Sequence, residues 1–226
     1  MVHRKIALKQ NTMFIHQNDI TLPQEQKAGS LRDLELFKML LQPHFLFNSL
    51  NNLYALSVKK SDQTTEAIAG LSDLLAKVVT CSRQEFISLD QEIELIKDYI
   101  SLERIWLGET TFLLDLQVTG VTSGVQLPPL VLYTVVENCF KHGIRKCNGD
   151  GWLTIRVEAM DGGLRFQSRN LVPSWEDEAC GGRSHNSGLG IMAVQELLEK
   201  KCTGKYELKN GRKGNTYAVE LRINCK

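Results

Sequence analysis

The hydrophobic rhythm of the chain changes once, and that change constrains the fold more than any other feature. Leu31, Leu34, Phe37, Leu40 and Leu41 recur at helical spacing, and Phe45, Leu50, Leu53 and Tyr54 carry the stripe past Pro43. A second amphipathic stretch holds Ile68, Leu71, Leu75, Val78 and Val79, after the polar turn Lys59-Lys60-Ser61-Asp62. Two helices joined by so short a turn lie antiparallel. Each has apolar residues on more than one face, so a lone hairpin leaves apolar surface wet. Pairing with a second copy into a four-helix bundle is the simplest remedy, and a homodimer is expected.

Beyond Arg83 helical and strand patterns mix. Ser88 and Gln91 form a capping box for a helix through Ile93, Ile96, Ile100 and Ile105 towards Gly108. Thr111–Val118 reads as a strand. Pro128 and Pro129 open a helix that runs through His142 and stops at Gly143. Trp152–Met160 and Leu164–Asn170 alternate about the turn Asp161-Gly162-Gly163. A polar segment from Leu171 to Ser187 has the length of a lid or binding loop. A helix then runs from Gly188-Leu189-Gly190 to about Cys202, with Gly204 as its stop. Lys205–Lys209 and Thr216–Ile223 close the chain as a hairpin around 210–215.

The expected class is α+β: a helical hairpin, then one mixed sheet with its helices on one face. The divisions are a polar tail and linker over 1–29, helices over 30–85 and a sheet domain over 86–226. At 226 residues the chain is long enough for one large domain or two small ones.

Composition excludes several classes. Twenty-seven basic and 26 acidic residues leave a net charge of +1, so nucleic acid or anionic lipid is not expected as the main partner. The longest apolar run, around Leu127 to Val136, is half of the roughly 20 residues that cross a bilayer. No apolar signal core follows the basic start. The six cysteines, at 81, 139, 147, 180, 202 and 225, have no metal-ligand spacing. Free thiols in a reducing cytoplasm fit best.

Three strings could carry chemistry. In Pro43-His44-Phe45-Leu46-Phe47-Asn48, a proline inside a helix costs about 3 kcal/mol. Beside it sits an imidazole, which is substantially neutral and nucleophilic near pH 7. The plainer alternative is a kinked helix with a polar residue on its wet face. In Glu137-Asn138-Cys139-Phe140-Lys141-His142-Gly143, Asn138 shares a helix face with Lys141 and His142. An amide oxygen for Mg²⁺ beside a cation for phosphate suits phosphoryl transfer, which depends on positioning and charge neutralisation. A solvated amphipathic face is the alternative. Gly188-Leu189-Gly190 offers backbone N–H groups and a favourable dipole to an anion at a helix start, or is simply a flexible turn. Arg212-Lys213 reads as a solvated turn, and Arg104 beside Glu103 as a surface ion pair.

In this order, Leu41-Gln42-Pro43-His44-Phe45-Leu46-Phe47-Asn48-Ser49-Leu50-Asn51-Asn52, then Glu137-Asn138 to Lys141-His142-Gly143, then Gly188-Leu189-Gly190 resemble the LytS-like class of bacterial sensor histidine kinases. The resemblance covers about residues 35–223. It implies a dimerising helical hairpin bearing the phosphoacceptor histidine, and an ATP-binding α/β sandwich of the gyrase, heat-shock-chaperone, histidine-kinase and mismatch-repair type. It also implies ATP and Mg²⁺. His44 would take the γ-phosphoryl group, Asn138 would hold Mg²⁺, and Lys141 and His142 would lie near the phosphates. Gly188 and Gly190 would bring backbone to them, and Glu137 is the nearest candidate to orient the imidazole or a water. The phosphoryl group would pass to an aspartate on a response regulator, in this class often one with a LytTR-type DNA-binding domain. A membrane-bound sensor portion outside this chain is one source of its input, and residues 1–29 with a partner are the other.

The chain also departs from the class. Asn170 stands where an aspartate commonly accepts from the adenine amino group, and a neutral amide is the weaker acceptor. Ala193 and Leu197 stand where asparagine and arginine are common, and Tyr133 and Thr134 replace a common Gln-Pro. These departures motivate a second reading, a catalytically weak or inactive signalling module. A third is an ATP hydrolase, which the resemblance would give a water-activating glutamate where Thr134 stands.

Overall fold

The computed structural model describes residues 43–108, 112–147, 151–173 and 189–224, with the backbone alone for Pro43, His44 and Leu189. The tail over 1–29, the stripe from Leu31 to Leu41, Gly188 and nearly all of the expected lid lie outside the described residues. Helix α1 is Pro43–Val58 and helix α2 is Thr64–Ser82. Lys60, at φ 51°, ends α1 in a left-handed turn. The Lys60 N–H bonds the Ser57 carbonyl at 3.0 Å and the Ser61 N–H bonds that of Leu56 at 3.0 Å, which satisfies two terminal acceptors.

Strand β1 (Ile87–Ser88) leads into helix α3 (Leu89–Leu107). The Ser88–Gln91 capping box is present, with the Gln91 N–H donating to Ser88 Oγ at 3.2 Å. Gly108, at φ 58°, closes the helix. Next come β2 (Phe112–Thr119), β3 (Gln126–Leu127), helix α4 (Val131–His142) and a 3₁₀ turn over Ile144–Lys146. Then follow β4 (Gly151–Met160), β5 (Gly163–Leu171), helix α5 (Leu189–Lys201), β6 (Tyr206–Lys213) and β7 (Thr216–Asn224).

The main sheet has the order β2-β4-β5-β7-β6, with β2 and β4 parallel and the other pairs antiparallel. Period-two alternation turns Leu153, Ile155 and Val157 of β4 to one face, with Leu164 and Phe166 of β5 and Val219, Leu221 and Ile223 of β7. Register stacks Val157 opposite Phe166 and Phe166 opposite Leu221. That face joins the helices in one core, and α4 lies in the middle of it, buried from Val131 through Phe140. The fold is the α/β sandwich expected from the sequence, preceded by the helical hairpin.

Four local expectations need correction. In α2 the buried residues are Ala67, Leu71, Leu74, Val78 and Cys81, while Ile68 is exposed, so the core stripe is rotated from the one read by hydrophobicity. Helix α4 begins at Val131, because Leu130 takes a left-handed conformation at φ 65° after the two prolines. The last hairpin is tighter than expected: β6 runs through Asn210-Gly211-Arg212-Lys213 and turns at Gly214, φ 58°. Arg212 is not a loose turn residue, since its Nε donates to the Gly214 carbonyl at 2.9 Å and its Nη2 to that of Pro173.

Candidate active site

Helix α4 carries most of the candidate site, and a distant residue fixes its start. Leu130 offers no capping side chain, yet the terminal N–H groups of a buried helix need acceptors. Glu92 of α3, fully buried, supplies one: its Oε2 accepts from the Tyr133 N–H at 3.0 Å. Burial pushes the Glu92 pKa up to about 7, against the pull of the backbone N–H groups of Tyr133, Leu130, Leu132 and Val131. Sequence reading missed this residue, because its signal is a contact 41 positions away.

One turn on, Thr134 is buried and its hydroxyl donates to the Leu130 carbonyl at 2.6 Å. It is committed to the helix. Asn138 is 9% exposed, and its Nδ2 has no hydrogen-bond partner among the described residues. Across from it stands Gly190, in the first turn of α5. A β-carbon on Gly190 would fall 2.4 Å from Asn138 Nδ2 and 2.8 Å from Oδ1. With any larger residue here the Asn138 amide would have to move, and the glycine brings helix-start backbone to that amide. Lys141 and His142 are half-buried in the last turn of α4.

Gly143 ends α4 at φ −117°, so it does not act through a left-handed turn. Its reason is space: a β-carbon there would lie 2.1 Å from Asn170 Nδ2 and 2.5 Å from the Leu171 carbonyl oxygen. Asn170 is thereby held against the end of α4, buried, with Nδ2 donating to that same carbonyl at 2.9 Å. Ala193 and Leu197 are both buried on the inner side of α5, where they pack and offer no polar contact.

Glu137 faces the other way, towards α3. It is 5% exposed, and its Oε2 has no partner among the described residues. Burial raises its pKa to about 7, while Lys141 and Arg145 pull it down and Glu103 pushes it up. Glu103 is fully buried and paired with Arg145, whose Nε donates to Oε2 at 2.9 Å and whose Nη2 donates to Oε1. The sequence reading placed a surface ion pair at Glu103 and Arg104; Arg104 is exposed, and Glu103 points inward to Arg145.

The structure therefore brings Asn138 and Gly190 together, sets Asn170 beside Gly143, and turns Glu137 to a buried charged cluster. His44 lies in the first turn of α1, and Gly188 is outside the described residues. Asn138 Nδ2, a buried donor without a partner among the described residues beside a cradle that a β-carbon would fill, suits an acceptor such as a phosphate oxygen. The same amide carries Oδ1, the atom type a divalent cation takes, so the residues present fit a polyphosphate with Mg²⁺. No helix among the described residues is long and apolar enough to cross a membrane.

Comparison with known proteins gives matches over parts of the chain. A family model described as "Histidine kinase" matches residues 32–111. Sensor histidine kinase BtsS of Escherichia coli (strain K12) is 26% identical over 194 residues, covering 84% of this chain and 33% of that protein. Sensor protein LytS of Staphylococcus saprophyticus is 24% identical over 187 residues, 80% of this chain and 32% of that one. The sensor histidine kinase/phosphatase LytS of Staphylococcus aureus (strain MRSA252) is 32% identical over 121 residues, 52% of this chain and 20% of that one. The chain thus spans at most about a third of the length of these relatives. Among solved structures it is similar to the catalytic domain of histidine kinase ThkA, with a TM-score of 0.47 and 16% identity, covering 62% of this chain and 98% of that one.

Proposed function

We propose that this chain, a relative of the LytS-like sensor histidine kinases, is the kinase core of a two-component system. Residues 30–85 serve as the dimerising phosphoacceptor helices and 86–226 as the ATP-binding unit. His44 takes the γ-phosphoryl group of Mg-ATP and passes it to an aspartate of a response regulator, of which a LytTR-type DNA-binding protein is one form. The setting is cytoplasmic, with a membrane-bound sensor portion as one source of input.

The observation that carries this reading is Asn138: its buried Nδ2, a donor without a partner among the described residues, faces the glycine backbone at a helix start, where a phosphate oxygen would accept from it and leave Oδ1 for the cation. Such a group costs about 1–3 kcal/mol when unpaired, so its retention calls for a ligand. Asn138 would hold Mg²⁺, Lys141 and His142 would neutralise phosphate charge, and Gly190 with Gly188 would let backbone N–H groups reach it. The cation, when bound, offsets charge on the departing diphosphate. In the transfer itself a neutral imidazole nitrogen of His44 forms the new N–P bond. The P–O bond to the β-phosphate breaks, ADP leaves with the electron pair, and the imidazole proton passes to solvent. Glu137 remains the nearest candidate in the sequence to orient the ring or a water, although its side chain is buried on the side of Glu103 and Arg145. Asn170 would meet the adenine amino group through its amide oxygen.

Two features favour a weaker relative of the same fold as the second reading. Ala193 and Leu197 are core residues, and the adenine-side acceptor is an amide. The hydrolase reading loses support, because the Thr134 hydroxyl is spent on a backbone carbonyl and carries no base. Measuring Mg-ATP affinity together with transfer of γ-label, with His44→Gln as control, separates these. Nucleotide binding without label on the wild-type chain points to the non-catalytic module, and phosphate release that survives His44→Gln points to the hydrolase.

A further inference from the structure

Helix α1 has a division of faces that the dimer alone does not explain. Leu46, Phe47, Leu50, Tyr54 and Val58 are exposed, each by more than two fifths of its surface. Phe45 is 5% exposed. Its ring lies 5.9 Å from that of Tyr99 and 6.0 Å from that of Trp106, both on α3, at interplanar angles of 49° and 54°. Ser49, one turn along, is buried as well, and its hydroxyl donates to the Phe45 carbonyl at 2.8 Å.

Both contacts of Phe45 are themselves anchored. Tyr99 meets Tyr133 edge-on at 5.4 Å and Phe140 at 5.5 Å, so it bears directly on α4. Trp106 carries the Arg145 guanidinium 5.5 Å above its ring, and Arg145 is held by the buried Glu103. A continuous run of packed rings therefore leads from the residue after His44 to the helix that carries Asn138. Tilted and edge-on ring pairs have orientation preferences that plain aliphatic contacts lack. A helix turns about 100° per residue, so fixing Phe45 fixes the direction of the position next to it.

Resting on the kinase reading above, we propose that Phe45 is a positioning residue: with Tyr99 and Trp106 it forms a clamp that sets the His44 helix against the nucleotide-binding unit, and Arg145 with Glu103 holds Trp106 in place. The outward face of α1 is left for the second copy. The same helix thus reports to both partners, and its rotation on either side is felt at His44.

The test uses the full chain and the variants Phe45→Ala, Phe45→Leu and Trp106→Ala, with three readouts: Mg-ATP affinity, rate of label transfer to His44, and backbone hydrogen exchange. Phe45→Ala is expected to slow labelling about 10- to 100-fold, as a small misplacement of reacting groups does, while nucleotide affinity stays within about twofold. Phe45→Leu recovers part of the rate. The double variant Phe45→Ala/Trp106→Ala is no slower than the slower single one, because the two side chains act as a unit. Exchange rises in both α1 and the last turns of α3. Labelling at the wild-type rate in Phe45→Ala, or loss only in proportion to lost nucleotide binding, overturns the positioning role. Unchanged exchange in α1 and α3 overturns the clamp itself. A wild-type chain that takes no label overturns the functional reading and the positioning role with it, and exchange then decides the clamp alone.

Discussion

Gly190 stands so close to Asn138 that a β-carbon on it would overlap both atoms of the amide, at 2.4 and 2.8 Å. The contact joins two strings more than fifty residues apart in the chain. Gly190→Ala is expected to push the Asn138 amide out of line and weaken Mg-ATP binding at least about tenfold, a loss of ~1.4 kcal/mol. Titration calorimetry checks this, with far-UV circular dichroism to show an intact fold. Asn138→Asp, which keeps an oxygen ligand, should retain more affinity than Asn138→Ala.

Glu92 predicts an unusual pH dependence. Its pKa in the folded chain is raised by burial to about 7, above the ordinary value of 4.5. Between those values the folded chain holds a proton that the unfolded chain has released. The stability this group contributes is therefore present below about pH 4.5 and is lost as pH rises through about 7. Thermal unfolding should show Glu92→Gln with a flatter slope than wild type between about pH 4.5 and 7. Identical slopes would contradict the buried titration.

These two residues also mark what the sequence could and could not reveal. The capping box at Ser88 and Gln91, the strand alternation about Gly162 and the helix stops at Gly108 and Gly204 are local patterns, legible because each rests on neighbours within a few positions. Asn138 and Gly190 were singled out from resemblance and helix-face logic, but only folding brings them to one another. Glu92 and Arg145 carry no local signal, and Glu103 reads as half of a surface pair, since nothing local separates a buried carboxylate from a surface one. The core stripe of α2 was misjudged for a related reason: Ile68 is as hydrophobic as Leu71, and only the placement of α3 decides which is covered. Gly143 reads as the helix stop and is one, but no local pattern signals that a β-carbon there would meet the Asn170 amide and the Leu171 and Cys139 carbonyls.

The Glu103–Arg145 pair should be costly to break. Removing one partner leaves the other charge in the core, so Arg145→Met or Glu103→Ala is expected to destabilise by about 3 kcal/mol, the lower end for buried pairs because Arg145 keeps some solvent contact. The double variant should recover part of that loss. Chemical denaturation of the three variants measures the coupling directly.

The exposed apolar face of α1, from Leu46 and Phe47 through Leu50 to Tyr54 and Val58, is expected to lie in the homodimer interface. Leu50→Glu, which leaves the Phe45 face untouched, should convert dimer to monomer in sedimentation velocity. Helical content should be kept, and autophosphorylation should fall if it requires the dimer.

The central claim is that His44 accepts a phosphoryl group. Its most direct test is incubation of the purified chain with γ-labelled Mg-ATP, followed by mapping of the modified residue. The account predicts acid-labile, base-stable label on His44, dependent on Mg²⁺ and absent from His44→Gln. A wild-type chain that binds nucleotide and stays unmodified, or label that persists in His44→Gln, would contradict it.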